Sequence, residues 1–179
     1  RYGRRQRQMC IRDSLITLGG DASITIGNFT GDGTVKLDAS NMTKEGINLN
    51  FSALKGSVDI ISTGKDDTIS LGIEAGKVIS GVGNDNITVA ANATGNSDIT
   101  TGDGVDIITL SAQSGIDIVK PGGTSVNITN KTANTHATIL SDKIINFDPN
   151  SDKIAFGSVT ASNDNFLSEN GANTNTFSD

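Results

Sequence analysis

The sequence predicts an all-β protein. It reads as a parallel β-solenoid, of the β-roll or β-helix type, with a C-terminal capping hairpin. Three observations carry this. Apolar residues recur every nine positions, at Met42, Phe51, Ile60, Ile69, Val78 and Ile87. A fixed short period marks stacked units, each too small to bury its own apolar face alone. Second, aromatics make up only 4% of the chain and Trp is absent, so a core of large rings is unavailable to it. Gly, Ser, Thr, Asn and Asp set between Ile and Val suit short strands joined by tight turns instead. Third, Thr, Ser or Asp stands beside most of these positions and is expected to point outward, because the strand period is two. No apolar run approaches the length of a membrane helix.

The opening stretch does not fit this pattern. All five arginines, the one Cys (Cys10) and the one Tyr (Tyr2) lie within it. Back-translated, Arg4 to Asp13 resembles a sequencing-library adapter read through in one frame. Residues 1–14 are therefore set aside as a non-native leader. The 14 basic residues then lose five arginines and the 20 acidic residues lose Asp13, leaving nine against nineteen and a net charge of −10. So acidic a chain repels nucleic acid and anionic membranes and suits cations as partners. With Cys10 gone, nothing points to disulfide or thiol chemistry.

The solenoid is expected over 15–140. Its first part carries paired alternations at Ile16/Leu18, Ile24/Ile26 and Val35/Leu37, with "GDG" at Gly31–Gly33 as a turn. Regular nonads follow: "ALKGSVDII" (53–61), "STGKDDTIS" (62–70), "LGIEAGKVI" (71–79) and "SGVGNDNIT" (80–88). After an insertion the pattern returns as "TGDGVDIIT" (101–109), and after a slip as "AQSGIDIVK" (112–120). One nonad supplies one strand and one turn, and two make a coil with opposed parallel sheets. Residues 141–179 are expected to form the cap and a loose tail. There "SDKIINFDPNSDKIAF" offers apolar strands at Ile144–Phe147 and Ile154–Phe156 around the turn "DPNS". Such a hairpin would cover the open end of the stack. His136, the single histidine, reads as a surface or packed residue, and no catalytic or organic-cofactor residue is expected.

The nonads resemble the G-G-x-G-x-D-x-U-x repeat of RTX, or hemolysin-type, proteins, whose β-rolls bind calcium. "SGVGNDNIT" matches at Gly81, Gly83, Asp85 and Ile87, and "TGDGVDIIT" at Gly102, Gly104, Asp106 and Ile108. "AQSGIDIVK" keeps Gly115, Asp117 and Val119. "STGKDDTIS" keeps Asp67 and Ile69 but places Lys65 where a turn glycine belongs. The C-terminal segment is similar to those that close RTX arrays. The resemblance implies calcium as cofactor, held by Asp67, Asp85, Asp106 and Asp117 with the turns around Gly81, Gly83, Gly102 and Gly104. It also implies an extracellular or cell-surface location and export by type I secretion.

The residue types make physical sense. Glycine accepts the positive φ of a sharp turn, and Asp supplies the hard oxygen that calcium takes. Equally, Asp closes turns by hydrogen bonding to backbone, with no ion needed. Asp67 and Asp85 lie 18 apart, one full coil, so they should stack on one edge about 4.8 Å from rung to rung. Asp106 follows after 21, and stays on that edge only if three extra residues bulge outward. The opposite edge, with Gly76 at the matching position, should bind little.

Three functions fit. The first is a calcium-binding structural module of a surface-layer protein or RTX adhesin, with self-association in a lattice or cell-surface glycans as further partners. The second is the accessory or secretion region of a secreted RTX hydrolase. The third, a polysaccharide-acting enzyme on a β-helix, is weakened because no Arg, Trp or Tyr remains after residue 14.

Overall fold

The computed structural model describes residues 14–155, except 28, 113, 114, 123–125, 131–141 and 149, with backbone only at Ser14 and 126–130. Most of the leader, His136, Phe156 and the tail thus lie outside the described residues. The chain alternates between two seven-stranded parallel sheets. In spatial order the first holds β1 (Ser14–Gly20), β3 (Val35–Met42), β5 (Val58–Ile61), β7 (Gly76–Ile79), β9 (Ser97–Gly102), β11 (Asp117–Pro121) and β14 (Lys153–Ile154). The second holds β2 (Ile24–Ile26), β4 (Ile47–Asn50), β6 (Thr68–Ser70), β8 (Asn86–Thr88), β10 (Ile107–Thr109), β13 (Asp142–Phe147) and β12 (Val126–Asn130). This is the parallel β-solenoid that the period implies, and no helix occurs among the described residues, hence none long and apolar enough to cross a membrane.

The core is built on two ladders of apolar residues held in register from strand to strand. Leu37, Ile60, Val78, Ile99 and Val119 follow one another in register through the first sheet. Leu49, Ile69, Ile87, Ile108 and Ile144 do so through the second. All are at most 1% exposed, and burying each contributes about 1.5–3 kcal/mol. The neighbours one position on point outward, as Ile61 at 40% exposed illustrates.

The nine-residue period holds from Ile60 to Ile87 and then drifts toward the N-terminus. Ile60 pairs with Leu37, 23 positions back, and Ile69 with Leu49, 20 positions back. Phe51, nine before Ile60, therefore lies beyond β4 at a turn, where its ring stacks on Phe29 at 4.4 Å. The three extra residues before Asp106 fall in the turn from β8 to β9. That turn closes with Ala93 N–H donating to the Ala90 carbonyl, and stacks on the shorter turn where Ala75 N–H donates to the Gly72 carbonyl. Asp106 thus keeps the edge of Asp85.

The C-terminal segment corrects one expectation. β13 and β14 do not pair as a hairpin. β13 lies in the second sheet between β10 and β12, while β14 extends the first sheet beside β11. Together they form a further coil, because Ile144 is then buried beside Ile108 and Ile154 packs, partly buried, beside Val119.

Candidate metal centre

Each buried aspartate begins the same short unit, Asp-x-Ile or Asp-x-Val, at 67, 85, 106, 117, 142 and 152. The apolar third residue enters the core, so strand alternation turns the Asp inward as well. The carboxylates are consequently out of water at the corner where a turn becomes a strand, all at most 8% exposed.

On one edge they form a continuous ladder. Ile47 N–H donates to Asp67 Oδ1 at 2.7 Å, and Asp67 N–H to Asp85 Oδ1 at 2.9 Å. Asp85 N–H donates to Asp106 Oδ1 at 2.8 Å, and Asp106 N–H to Asp142 Oδ1 at 3.0 Å. Every rung thus caps a backbone donor of the rung before it. Three of the sequence-derived candidates, Asp67, Asp85 and Asp106, are together here. The fourth, Asp117, is not. It begins a strand of the first sheet, on the opposite edge, where its Oδ1 accepts from Ser97 Oγ at 2.5 Å and its N–H donates to Asp152 Oδ1 at 3.1 Å. Asp142 and Asp152 escape the glycine-based motif because no glycine turn precedes them. The Asp-Lys-Ile they share was the signal for both.

The second oxygen of each carboxylate separates the rungs. At Asp67 it is occupied: Oδ2 accepts from Ser62 Oγ at 2.6 Å and from Thr63 N–H at 3.0 Å, while Oδ1 also takes Thr63 Oγ1. At Asp85, Asp106 and Asp117, Oδ2 is buried and makes no hydrogen bond, and the Ser80 hydroxyl beside Asp85 donates to the Thr101 carbonyl at 2.9 Å instead. A buried acceptor left unmade costs about 1–3 kcal/mol, and more when charged. Burial accordingly pushes the Asp85 carboxyl up to about 6, against a partial lowering by the Ser80 hydroxyl and the Asp67 N–H. Burial also raises Asp106, Asp117 and Asp142.

The candidate glycines make the turns of this edge. Gly81, Gly83, Gly102 and Gly104 all have positive φ, from 89° to 147°. Gly81 N–H donates to the Thr101 carbonyl and Gly83 N–H to the Asp103 carbonyl, so the two turns lie directly on each other. Beside them runs an exposed second ladder, in which Asn84 N–H donates to Asp66 Oδ1 and Val105 N–H to Asn84 Oδ1.

Among the described residues no three acidic, His or Cys side chains converge as a metal-holding group. A cation on this edge would take one or two carboxylates, with backbone carbonyls completing its shell. Calcium accepts such mixed oxygen sets. No family model matches the chain, and neither a curated protein nor a solved structure matches it.

The raised carboxyls dictate a pH response. An acid whose folded pKa exceeds its unfolded value of about 3.9 stabilises the fold below that value and loses the contribution as pH rises through the folded pKa. For Asp85 the window runs from 3.8 to about 6, worth at most about 3 kcal/mol. In chelator, thermal melts should therefore show the protein more stable near pH 5 than near pH 7.5. A flat or opposite profile would contradict the buried, unpaired carboxylates.

Proposed function

We propose that the chain is a calcium-binding structural module, a β-roll segment of a large extracellular protein of the surface-layer or adhesin kind. The observation that carries this reading is the pair of unpartnered oxygens, Asp85 Oδ2 and Asp106 Oδ2, on adjacent rungs beside glycine turns. The residues there fit a divalent cation. Asp85 and Asp106 would hold it with carbonyls of 81–84 and 102–105. Bound calcium would supply counter-charge to carboxylates that water cannot reach, and would tie neighbouring coils together.

The other candidates fit unequally. Asp67 has no free oxygen, so it suits a purely structural rung. Asp117 offers one on the opposite edge, which makes a second, separate position beside Asp152. Extracellular placement, type I export and a lattice or glycan partner follow from the RTX resemblance and are part of the proposal. The same module would serve equally as the accessory region of a secreted hydrolase. Nothing in the ladder arranges a nucleophile or acid–base pair, and no enzymatic role is proposed.

Calorimetric titration with calcium, run beside Asp85→Asn, tests the reading. The expected dissociation constant is about 10⁻⁴–10⁻³ M, typical of extracellular modules. At ten times that concentration one site adds about 1.4 kcal/mol of stability by mass action. Asp85→Asn should weaken binding most, since its carboxylate lies between two rungs. Absence of both heat and a melting shift at millimolar calcium would leave a plain structural solenoid, with the aspartates serving only as backbone caps.

A further inference from the structure

We propose that the outer face of the first sheet is a self-complementary surface that pairs with a second copy of this chain. The outward residues of β1, β3, β5, β7, β9 and β11 form two columns, fixed by strand register. One column reads Leu15, Lys36, Asp59, Lys77, Asp98, Ile118 over these six strands, with Lys153 of β14 following Ile118 outside the symmetric stretch. The other reads Thr17, Asp38, Ile61, Ile79, Thr100, Lys120.

The first column is symmetric in polarity and antisymmetric in charge about its midpoint, between β5 and β7. A two-fold axis lying in the face along the strand direction, at that midpoint, sets each residue against its mirror position in the other copy. Leu15 then meets Ile118, Lys36 meets Asp98, and Asp59 meets Lys77, each twice by symmetry. In the second column Ile61 meets Ile79 beside the axis, Asp38 meets Thr100, and Thr17 meets Lys120. No like charges oppose each other at any position. An interface of this kind, one patch meeting itself, is what closed dimers use.

Cross-strand pairing within one chain accounts for alternating charge by itself. It does not account for the apolar members. Leu15 is 68% exposed and Ile61 40% exposed, and the residues that would cover them, Ile118 and Ile79, sit at the symmetry-related positions. Asp98 already holds Lys120 at 2.6 Å, and a carboxylate has lone pairs enough to accept a second cation.

The size of the face sets the strength. Six strands span about 24 Å and the two columns lie about 7 Å apart, well under the roughly 800 Å² per partner of a stable complex. The pairing is therefore weak in solution, and becomes effective where many copies are held side by side. It does not depend on calcium.

Sedimentation equilibrium over a wide concentration range tests this, with circular dichroism to verify the fold of each variant. The parent should move from monomer toward dimer as concentration rises, less so at high salt. Asp59→Lys sets a like charge against Lys77 of the other copy, twice, and should weaken association at least about tenfold. The double variant Asp59→Lys/Lys77→Asp restores opposite charges across the axis and should recover most of the loss. A parent that stays monomeric throughout, a dimer indifferent to Asp59→Lys, or a double variant no better than the single one would each overturn the proposal.

Discussion

Gly104→Ala should unfold the middle of the stack. Gly104 has φ 147°, and a Cβ there would overlap the Gly83 carbonyl oxygen and stand 2.7 Å from its carbon. Both are backbone atoms held by the coil below, so neither has a side-chain rotamer to move. The turn must lift, and lifting it breaks the bond from Gly83 N–H to the Asp103 carbonyl and strains the one from Asp85 N–H to Asp106 Oδ1. A loss above about 4 kcal/mol is expected, at the extreme of single substitutions. For a chain of this size that lowers the melting temperature by roughly 8–16 °C. Gly64→Ala is the matched control. A Cβ at Gly64 meets nothing within 4 Å, and the change should stay within about 0.5 kcal/mol. Equal melting of the two variants would mean that the coils are not stacked at this distance.

Asp106 should respond in opposite directions to two small changes. Asp106→Ala removes the acceptor of Asp85 N–H and leaves a buried donor unmade, at a cost of about 1–3 kcal/mol. Asp106→Asn keeps an oxygen for that donor and removes the charge that burial disfavours. In chelator at neutral pH the Asn variant should therefore equal or exceed the parent in stability, while the Ala variant falls below it. Added calcium should reverse the order of parent and Asn, because the carboxylate then gains a counter-ion that the amide cannot attract equally. Denaturant melts of the three proteins, with chelator and with calcium, give the ranking. An Asn variant that gains as much from calcium as the parent would separate Asp106 from any cation site.

Turn length decides how far strand position can be counted along this chain. From Ile60 to Ile87 the turns are short and uniform, so strand position could be counted in nines. Earlier turns are longer, and counting backward lands on Phe51 and Met42 rather than on Leu49 and Leu37, which pair with the later rungs. All four are buried, so hydrophobicity alone could not choose among them. The hairpin expected around "DPNS" failed for a related reason. Ile144 and Ile154 are apolar strand residues in either arrangement, and only contacts with β10 and β11 decide between pairing with each other and extending both sheets. Of the candidate site, the ladder of Asp67, Asp85 and Asp106 was legible from the 18-residue spacing and the turn glycines. Asp142 was missed because the motif was sought through its glycines. That Asp67 is saturated while Asp85 is not depends on Ser62 and Thr63 reaching back around the turn, a matter of side-chain direction that spacing does not encode.

The position of β13 also governs the order in which the chain can assemble. Coils up to β11 can wind on one after another, each finding its partner already in place about 20 residues behind. β12 cannot, because its neighbour in the sheet is β13, which is made later and lies between it and β10. The pairing of β12 therefore waits for residues 142–147, and the bond from Asp106 N–H to Asp142 spans 36 residues. Doubling the length of a closed loop costs only about 0.6 kcal/mol, so equilibrium stability is little affected. What changes is timing: a chain emerging N-terminus first would expose the open edge of β10 until residues 142–147 arrived to occupy it, which makes the interval between the synthesis of β10 and that of β13 the growing solenoid's most adhesive moment.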